Sequence, residues 1–290
     1  MIIDSHVHIG RDRFAEMNNI LTVRGSQHKQ NIEELIKKMD FLGIDKAFIF
    51  PFPYPSAYFN KDEVWYYKEN EFLKNYFEIY KKRLYFIPAT NPKDKKSLNY
   101  VKSLIEEYEL KGLKIHTRAT QYDFKYMDKS FLNFIRKKEI PIIFHICSGK
   151  EQELKRKNID ATLKSGIKFA KKNRECRFVF THLGRLHKDI EKISKLENVA
   201  LDTSALSVKN KYEEFLAEKY HNVLIKKTPY EIIPYLVDIG LENRIIWGSD
   251  EPYGISYEKE LEYIKNNPLI DGTLKKKFLE KNVKEWFDLK

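Results

Sequence analysis

Eight short apolar runs, each separated from the next by a longer amphipathic stretch, set the strongest constraint on how this chain folds. The runs are MIIDSHVHI (1–9), IDKAFIF (44–50), RLYFIPA (83–89), KGLKIH (111–116), IPIIFHI (140–146), CRFVFTH (176–182), NVALDTS (198–204) and RIIWGSD (244–250). They are close to continuously apolar, which suits strands of a parallel sheet covered on both faces. The stretches between them follow a helical period. NIEELIKKMDFLG places Ile32, Leu35, Ile36 and Met39 on one side, opens on Asn31 with Glu34 three residues later, and meets Gly43 as a stop. SLNYVKSLIEEYEL, KSFLNFIRKKE, ATLKSGIKFAKKN, DIEKISKLE and YEIIPYLVDIG behave alike; the last accommodates Pro234 only at the start of a turn or at a kink. Eight strand–helix units close a (β/α)8 barrel, and the chain reads as one α/β TIM-barrel domain over 1–290. A doubly wound open sheet is the alternative, but no glycine-rich dinucleotide fingerprint follows any strand.

Two connections are long. Residues 10–30 follow the first strand, and 51–80, with three prolines and many aromatics, follow the second. At the carboxyl face of a barrel such loops build a pocket or lid, pack on the rim, or form a contact between copies in a homodimer. Tyr54, Tyr58 and Trp65 are placed either to cover an aromatic part of a ligand or to pack on that rim.

The net charge of +11 raises the question of an acidic partner. The lysines of KKMD, KKNRE and LKKKFLEKNVKEW are interleaved with Glu and Asp, so they read as solvated helix faces and not as a nucleic-acid surface. No apolar run approaches the ~18 residues of a membrane span, and an acid and two histidines interrupt the N-terminus where a signal peptide would be apolar. Cys147 and Cys176 cannot form a disulfide framework. The expectation is a cytoplasmic enzyme with a small-molecule substrate, and no nucleic-acid or membrane partner.

Every histidine of the apolar runs lies at or near a carboxyl end, and Asp250 joins them there. In IIDSHVHIG, Asp4, His6 and His8 alternate, so a regular strand sends all three to one face. Lys114 and His116 end the fourth strand, His145 the fifth, His182 the sixth and Asp250 the eighth. In a parallel barrel all these ends share one face, and closure makes the first and eighth strands neighbours. Five of the eight histidines therefore converge on one cavity mouth. Buried polar groups need partners, and a divalent cation supplies one to several at once. Imidazole and carboxylate suit Zn²⁺ best, with Mn²⁺, Fe²⁺ or Ni²⁺ as other ions. Three or four protein ligands leave a position for water, and Asp250 is placed both to bind metal and to take a proton.

DSHVHIG, GLKIH, IPIIFHI, FVFTHLG and WGSDEPYG resemble the strand-end motifs of the amidohydrolase superfamily. They are most similar to its amidohydrolase-related branch of metal-dependent TIM-barrel hydrolases. That branch also holds non-oxidative decarboxylases related to aminocarboxymuconate-semialdehyde decarboxylase. The resemblance implies that His6, His8, His145 and Asp250 bind metal and that Asp250 also shuttles protons. It implies that His182 activates water or polarises the substrate beside a single ion, or binds a second ion where there are two. Lys114 stands where two-metal members carry a bridging carboxylated lysine; the other reading is a buried lysine paired with an acid, and one ion is expected over two. The lysine replaces the Glu of deoxyribonuclease-like relatives, and HICSGKEQE lacks the His-Ala-Gly-Glu run of adenosine-deaminase relatives.

The resemblance implies a hydrolase acting on an amide, lactone or ester through a metal-activated water, with a decarboxylase using the same residues as the alternative. A barrel that only binds a ligand is the third reading. His116, Arg118 and Arg185, at or beyond the fourth and sixth strand ends, are candidate substrate-binding residues, and the two arginines favour an anionic substrate.

Overall fold

The computed structural model describes residues 1–12, 15, 16, 19, 21, 24–52, 65–120, 123–147, 161–208 and 225–290, without the side chains of 65–67, 118, 119 and 208. Eight parallel strands form where the apolar runs lie: β1 (Ile3–Arg11), β2 (Lys46–Pro51), β3 (Leu84–Phe86), β4 (Leu113–Ile115), β5 (Ile142–Phe144), β6 (Phe178–Phe180), β7 (Val199–Asp202) and β8 (Ile245–Ile246). Ladders join β1 to β2 to β3 and run unbroken from β4 to β8. Backbone bonds close the two seams. Lys114 N donates to Pro88 O and Thr90 N to Lys114 O across β3 and β4, while Ser5 N donates to Trp247 O and Asp250 N to His6 O across β8 and β1. The sheet is thus a closed (β/α)8 barrel.

Two apolar layers follow from the period of two. Ile3, Phe48, Ile143, Val179, Ala200 and Ile246 fill the interior, and Val283 and Phe287 of the C-terminal helical segment join them. Ala47, Ile49, Leu113, Ile115, Ile142, Phe144 and Leu201 face the helices. Lys114, between Leu113 and Ile115, belongs to the interior row, above an apolar floor.

Helix α1 (Ile32–Leu42) starts where the sequence places it. The Asn31 side chain accepts from Glu33 N and Glu34 N, and Gly43 ends the helix at φ 71°. The region 51–80 departs from its reading as one long connection, because Trp65–Tyr80 is a helix, α2. Its Leu73 is fully buried and Phe77 meets Phe86 at 6.3 Å. The prolines that suggested a loop all precede it, and Tyr54 and Tyr58, with the Trp65 side chain, lie outside the described residues. After β6 the expected helix is a 3-10 segment, Lys188–Lys195. Helix α3 (Pro229–Asp238) absorbs Pro234 and is opened by a Thr228–Glu231 capping box.

Candidate metal centre

A bulge in β1 aims the histidines. Ile3 and Asp4 pair with Lys46 and Ala47, but Val7 pairs with Ile49, so β1 holds one residue more than β2 over this stretch. An extra residue reverses the inward–outward parity of the strand beyond it. Ile3 points into the barrel; past the bulge Val7 and Ile9 join the helix-facing layer, which turns His6 and His8 inward. Asp4 pairs with Ala47 of the helix-facing layer, so the expected common face for Asp4, His6 and His8 is not formed. Asp4 instead accepts from His6 N at 2.9 Å and Ser249 Oγ at 2.6 Å, fastening β1 to the segment after β8, and burial pushes its carboxyl up to about 7.

Gly248 explains the glycine of WGSD. A Cβ there would stand 2.8 Å from the His6 Cβ, so only glycine lets the eighth strand end approach the first. Asp250 then takes φ 63°, which brings its carboxylate back over the barrel.

Three donors meet. His6 Nε2, His8 Nε2 and Asp250 Oδ1 are each 3.3 Å from the other two. All three residues are buried. The centre of such a triangle is about 1.9 Å (3.3/√3) from each corner. Zinc bonds to nitrogen and oxygen run about 2.0–2.2 Å, so the spacing of these three donors would suit one such ion. The remaining nitrogens fix the tautomers. His6 Nδ1 donates to Asp202 Oδ2 at 2.8 Å, and His8 Nδ1 to Pro51 O at 3.0 Å. Both Nε2 lone pairs therefore face one another and a carboxylate, with Lys114 Nζ beside that of His6, and each ring is oriented from behind. Burial, then Lys114, lowers His6 to about 4 against the pull of Asp202 and Asp250, so the ring is neutral near pH 7. Burial alone would raise Asp250, but His6, His8 and Lys114 outweigh it and hold the carboxyl below its ordinary range.

Lys114 stands beside this triangle. Its Nζ lies 3.3 Å from His6 Nε2 and 4.8 Å above the Phe50 ring, and burial lowers it to about 8, opposed by Asp202 and Asp250.

His145 and His182 form a second group. His145, expected as a metal ligand, falls outside the set of donors within 4.8 Å of one another. Its Nε2 accepts from Arg185 Nη2 at 2.9 Å, and because arginine has no lone pair to offer, the proton of neutral His145 is on Nδ1. That nitrogen donates to His182 Nε2 at 3.1 Å, and His182 Nδ1 in turn donates to Ser204 O at 3.2 Å. The same Nδ1 lies 3.8 Å from Asp250 Oδ2, the link between the two groups. Half-buried His116 stacks on His145 at 4.0 Å. Arg185 also donates Nε to Ile146 O at 2.8 Å, so these bonds serve His145 and the chain beyond β5. The side chain of Arg118 lies outside the described residues.

The backbone at His182–Leu186 is left-handed at every residue. Each non-glycine member costs about 1–2 kcal/mol relative to right-handed backbone. A three-residue turn puts i and i+3 on one side, which is how His182 and Arg185 reach opposite nitrogens of one ring. Gly184 takes φ 57° within it, and a Cβ there would press on Leu163, with Cδ1 at 2.8 Å.

Asp202 joins the centre without having stood among the strand-end candidates. Besides His6 Nδ1 it accepts from His182 N at 2.8 Å and from the Ser204 hydroxyl; burial alone would raise it, but His6, Lys114 and Ser204 hold it far below the usual carboxylate range. It ends β7 in NVALDTS as Asp250 follows β8, so its place at a strand end is the signal that marks it in the sequence.

A parallel barrel with two imidazoles and a carboxylate converging at its carboxyl face defines a metal-dependent barrel enzyme. The chain belongs to the amidohydrolase family, whose profile matches residues 68–289. No curated protein is similar to it in sequence. Solved structures share its fold. A dihydroxybenzoic acid decarboxylase from Polaromonas sp. JS666, with bound manganese and 2-nitroresorcinol, is 13% identical over 99% of this chain and 97% of that one, with a TM-score of 0.70. A probable 2-pyrone-4,6-dicarboxylic acid hydrolase from Acinetobacter baumannii, with citric acid bound, is 15% identical over 99% of each chain, at 0.64. A zinc-bound amidohydrolase from Burkholderia multivorans is 13% identical over all of both chains, at 0.65.

Proposed function

We propose that the protein is a single-ion hydrolase of a small, anionic amide, lactone or ester. The observation that carries this is the triangle of unprotonated donors 3.3 Å apart, with both imidazoles anchored through Nδ1. A divalent cation, zinc by the donor set and manganese next, supplies Lewis acidity to a carbonyl and acidity to a water when bound by His6, His8 and Asp250. Asp250 is ionised at neutral pH, uses Oδ1 in the triangle and turns Oδ2 towards His182. It takes the proton from the attacking water and returns it to the leaving group. His182 stands 3.8 Å from Oδ2, within reach of a proton moved through one water, and is itself held by His145 and Ser204. His145 reaches the ion as a fourth ligand only by giving up the Arg185 bond. His116, half-buried against His145, contacts substrate. Lys114 remains an amine beside one ion; bridging as a carbamate would require a second.

A second reading, decarboxylation of an aromatic or unsaturated carboxylate, is favoured by the rings around His8. Phe50, Phe52 and Tyr253 lie 5.8, 5.5 and 5.4 Å from it. The similarity to a dihydroxybenzoic acid decarboxylase points the same way. Zinc- and manganese-loaded protein should be offered 2-pyrone-4,6-dicarboxylic acid and 2,6-dihydroxybenzoate, with carbon dioxide and ring opening both followed. Ring opening without gas supports the hydrolase; gas release from the benzoate replaces it with the decarboxylase. Metal content of one ion per chain, unchanged by added bicarbonate, supports the single-ion site.

A further inference from the structure

Asp250 has two duties in the proposed reaction, Oδ1 in the triangle and Oδ2 in proton transfer, and it performs them from left-handed backbone, φ 63°. Such backbone is uphill for a residue with a Cβ and persists only where its surroundings over-determine it.

Every amide and carbonyl from Ser249 to Glu251 has a partner. Asp250 N donates to His6 O at 2.8 Å, His8 N to Glu251 O at 2.9 Å, Ala205 N to Ser249 O at 3.1 Å and Tyr253 N to Asp250 O at 2.6 Å. These four bonds run from backbone to backbone and need no particular side chain. The other two amides are held by side chains, and both of the residues that supply them are fully buried. Asp4 Oδ1 accepts from Ser249 N at 3.0 Å and from His6 N at 2.9 Å, so one oxygen joins the amide of a ligand histidine to the amide next before Asp250. Asp4 Oδ2 accepts from Ser249 Oγ at 2.6 Å, and Ser249 Oγ accepts from Glu251 N at 3.0 Å. The Ser249 hydroxyl thus spans Asp250, holding the amide that follows it while Asp4 aims the hydroxyl. Packing does not explain the pair, since alanine would fill the Ser249 position without a carboxylate to bury beside it. Nor does the Glu251 side chain do this work. It accepts from Arg24 at 2.9 Å and Lys38 at 2.8 Å, and so ties the loop after β1 and helix α1.

We infer that Ser249 is a positioning residue, aimed by Asp4, that holds Asp250 in its left-handed conformation and keeps Oδ1 at its place beside His6 Nε2 and His8 Nε2. This rests on the metal-dependent reading of the site and adds to it the pair of side chains that sets the third donor. The pair acts through Asp250 and through the His6 backbone, and it touches neither ion nor substrate.

Ser249→Ala removes the acceptor of Glu251 N and hardly changes the volume. Two measurements on full-length protein test it. Zinc affinity, by competition with a chelating dye, should fall about tenfold. In metal-free crystals of the variant, Asp250 Oδ1 should leave its 3.3 Å distances to the two Nε2 atoms by more than about 0.5 Å, while the eight strands superpose on those of metal-free parent crystals. Asp4→Asn keeps an acceptor for both amides and alters the atom that receives the hydroxyl, so its cost should be smaller, about threefold. Zinc affinity within about twofold of the parent in both variants overturns the inference, and so does a tenfold fall with Asp250 unmoved. A metal-free Ser249→Ala protein that does not fold, or that melts more than about 10 °C below the parent, marks the pair as a clamp on the fold and overturns it as well. Parent protein that binds no zinc defeats the metal reading and this inference together, whereas parent and Ser249→Ala protein that bind zinc equally well defeat only the positioning role.

Discussion

The two sides of the barrel mouth use the same residue type in opposite ways. On the β1–β8 side, His6 and His8 are anchored from behind and present Nε2 to Asp250, with Lys114 Nζ 3.3 Å from that of His6. On the β5–β6 side, His145 and His182 spend their nitrogens on one another, on Arg185 and on Ser204. What separates the two pairs is where the second nitrogen goes: to an anchor behind the ring in one, and into a chain of neighbouring donors and acceptors in the other. Asp202 belongs to both sides, accepting from His6 Nδ1 and from His182 N.

The contrast breaks most visibly at His6. His6→Ala removes a corner of the triangle and should lower zinc affinity about 1000-fold or more, with activity lost alongside, as read by competition with a chelating dye. Asp202→Asn should cost about 10- to 100-fold in zinc affinity by loosening His6 from behind, with the protein still folded by circular dichroism. Lys114 gives a pH signature. Its ammonium, charged below about 8, stands 3.3 Å from His6 Nε2 and opposes a cation; as pH rises through that value the charge leaves and affinity should increase. Ejecting one such proton makes zinc binding about tenfold tighter at pH 9 than at pH 7. His6, lowered to about 4, is already neutral across that window and adds no slope. In Lys114→Met the rise should vanish and the pH 7 affinity should match the parent at pH 9. The smallest expected change in metal binding is at His182→Asn, within about threefold of the parent, while turnover falls by about 100-fold as Asp250 loses its neighbour.

Much of the barrel and its metal triangle is legible in the sequence, for a physical reason. The apolar runs are buried on both faces, so their composition announces them, and a polar side chain at their carboxyl end must have a purpose. His6, His8 and Asp250 stand out in that way. The bulge in β1 does not, because it exists only in the pairing with β2, and it reverses the expected facing of Asp4. The left-handed turn at His182–Leu186 is hidden because only Gly184 marks it locally; its cause is the meeting with His145 from a different strand. Helix α2 is masked by the prolines ahead of it.

Anomalous scattering from a zinc-soaked crystal, recorded on both sides of the zinc absorption edge, tests the central claim most directly. One peak per chain is expected, about 2.0–2.2 Å from His6 Nε2, His8 Nε2 and Asp250 Oδ1. A fully soaked crystal with no peak there, or with its only peak among His145, His182 and Arg185, would contradict it.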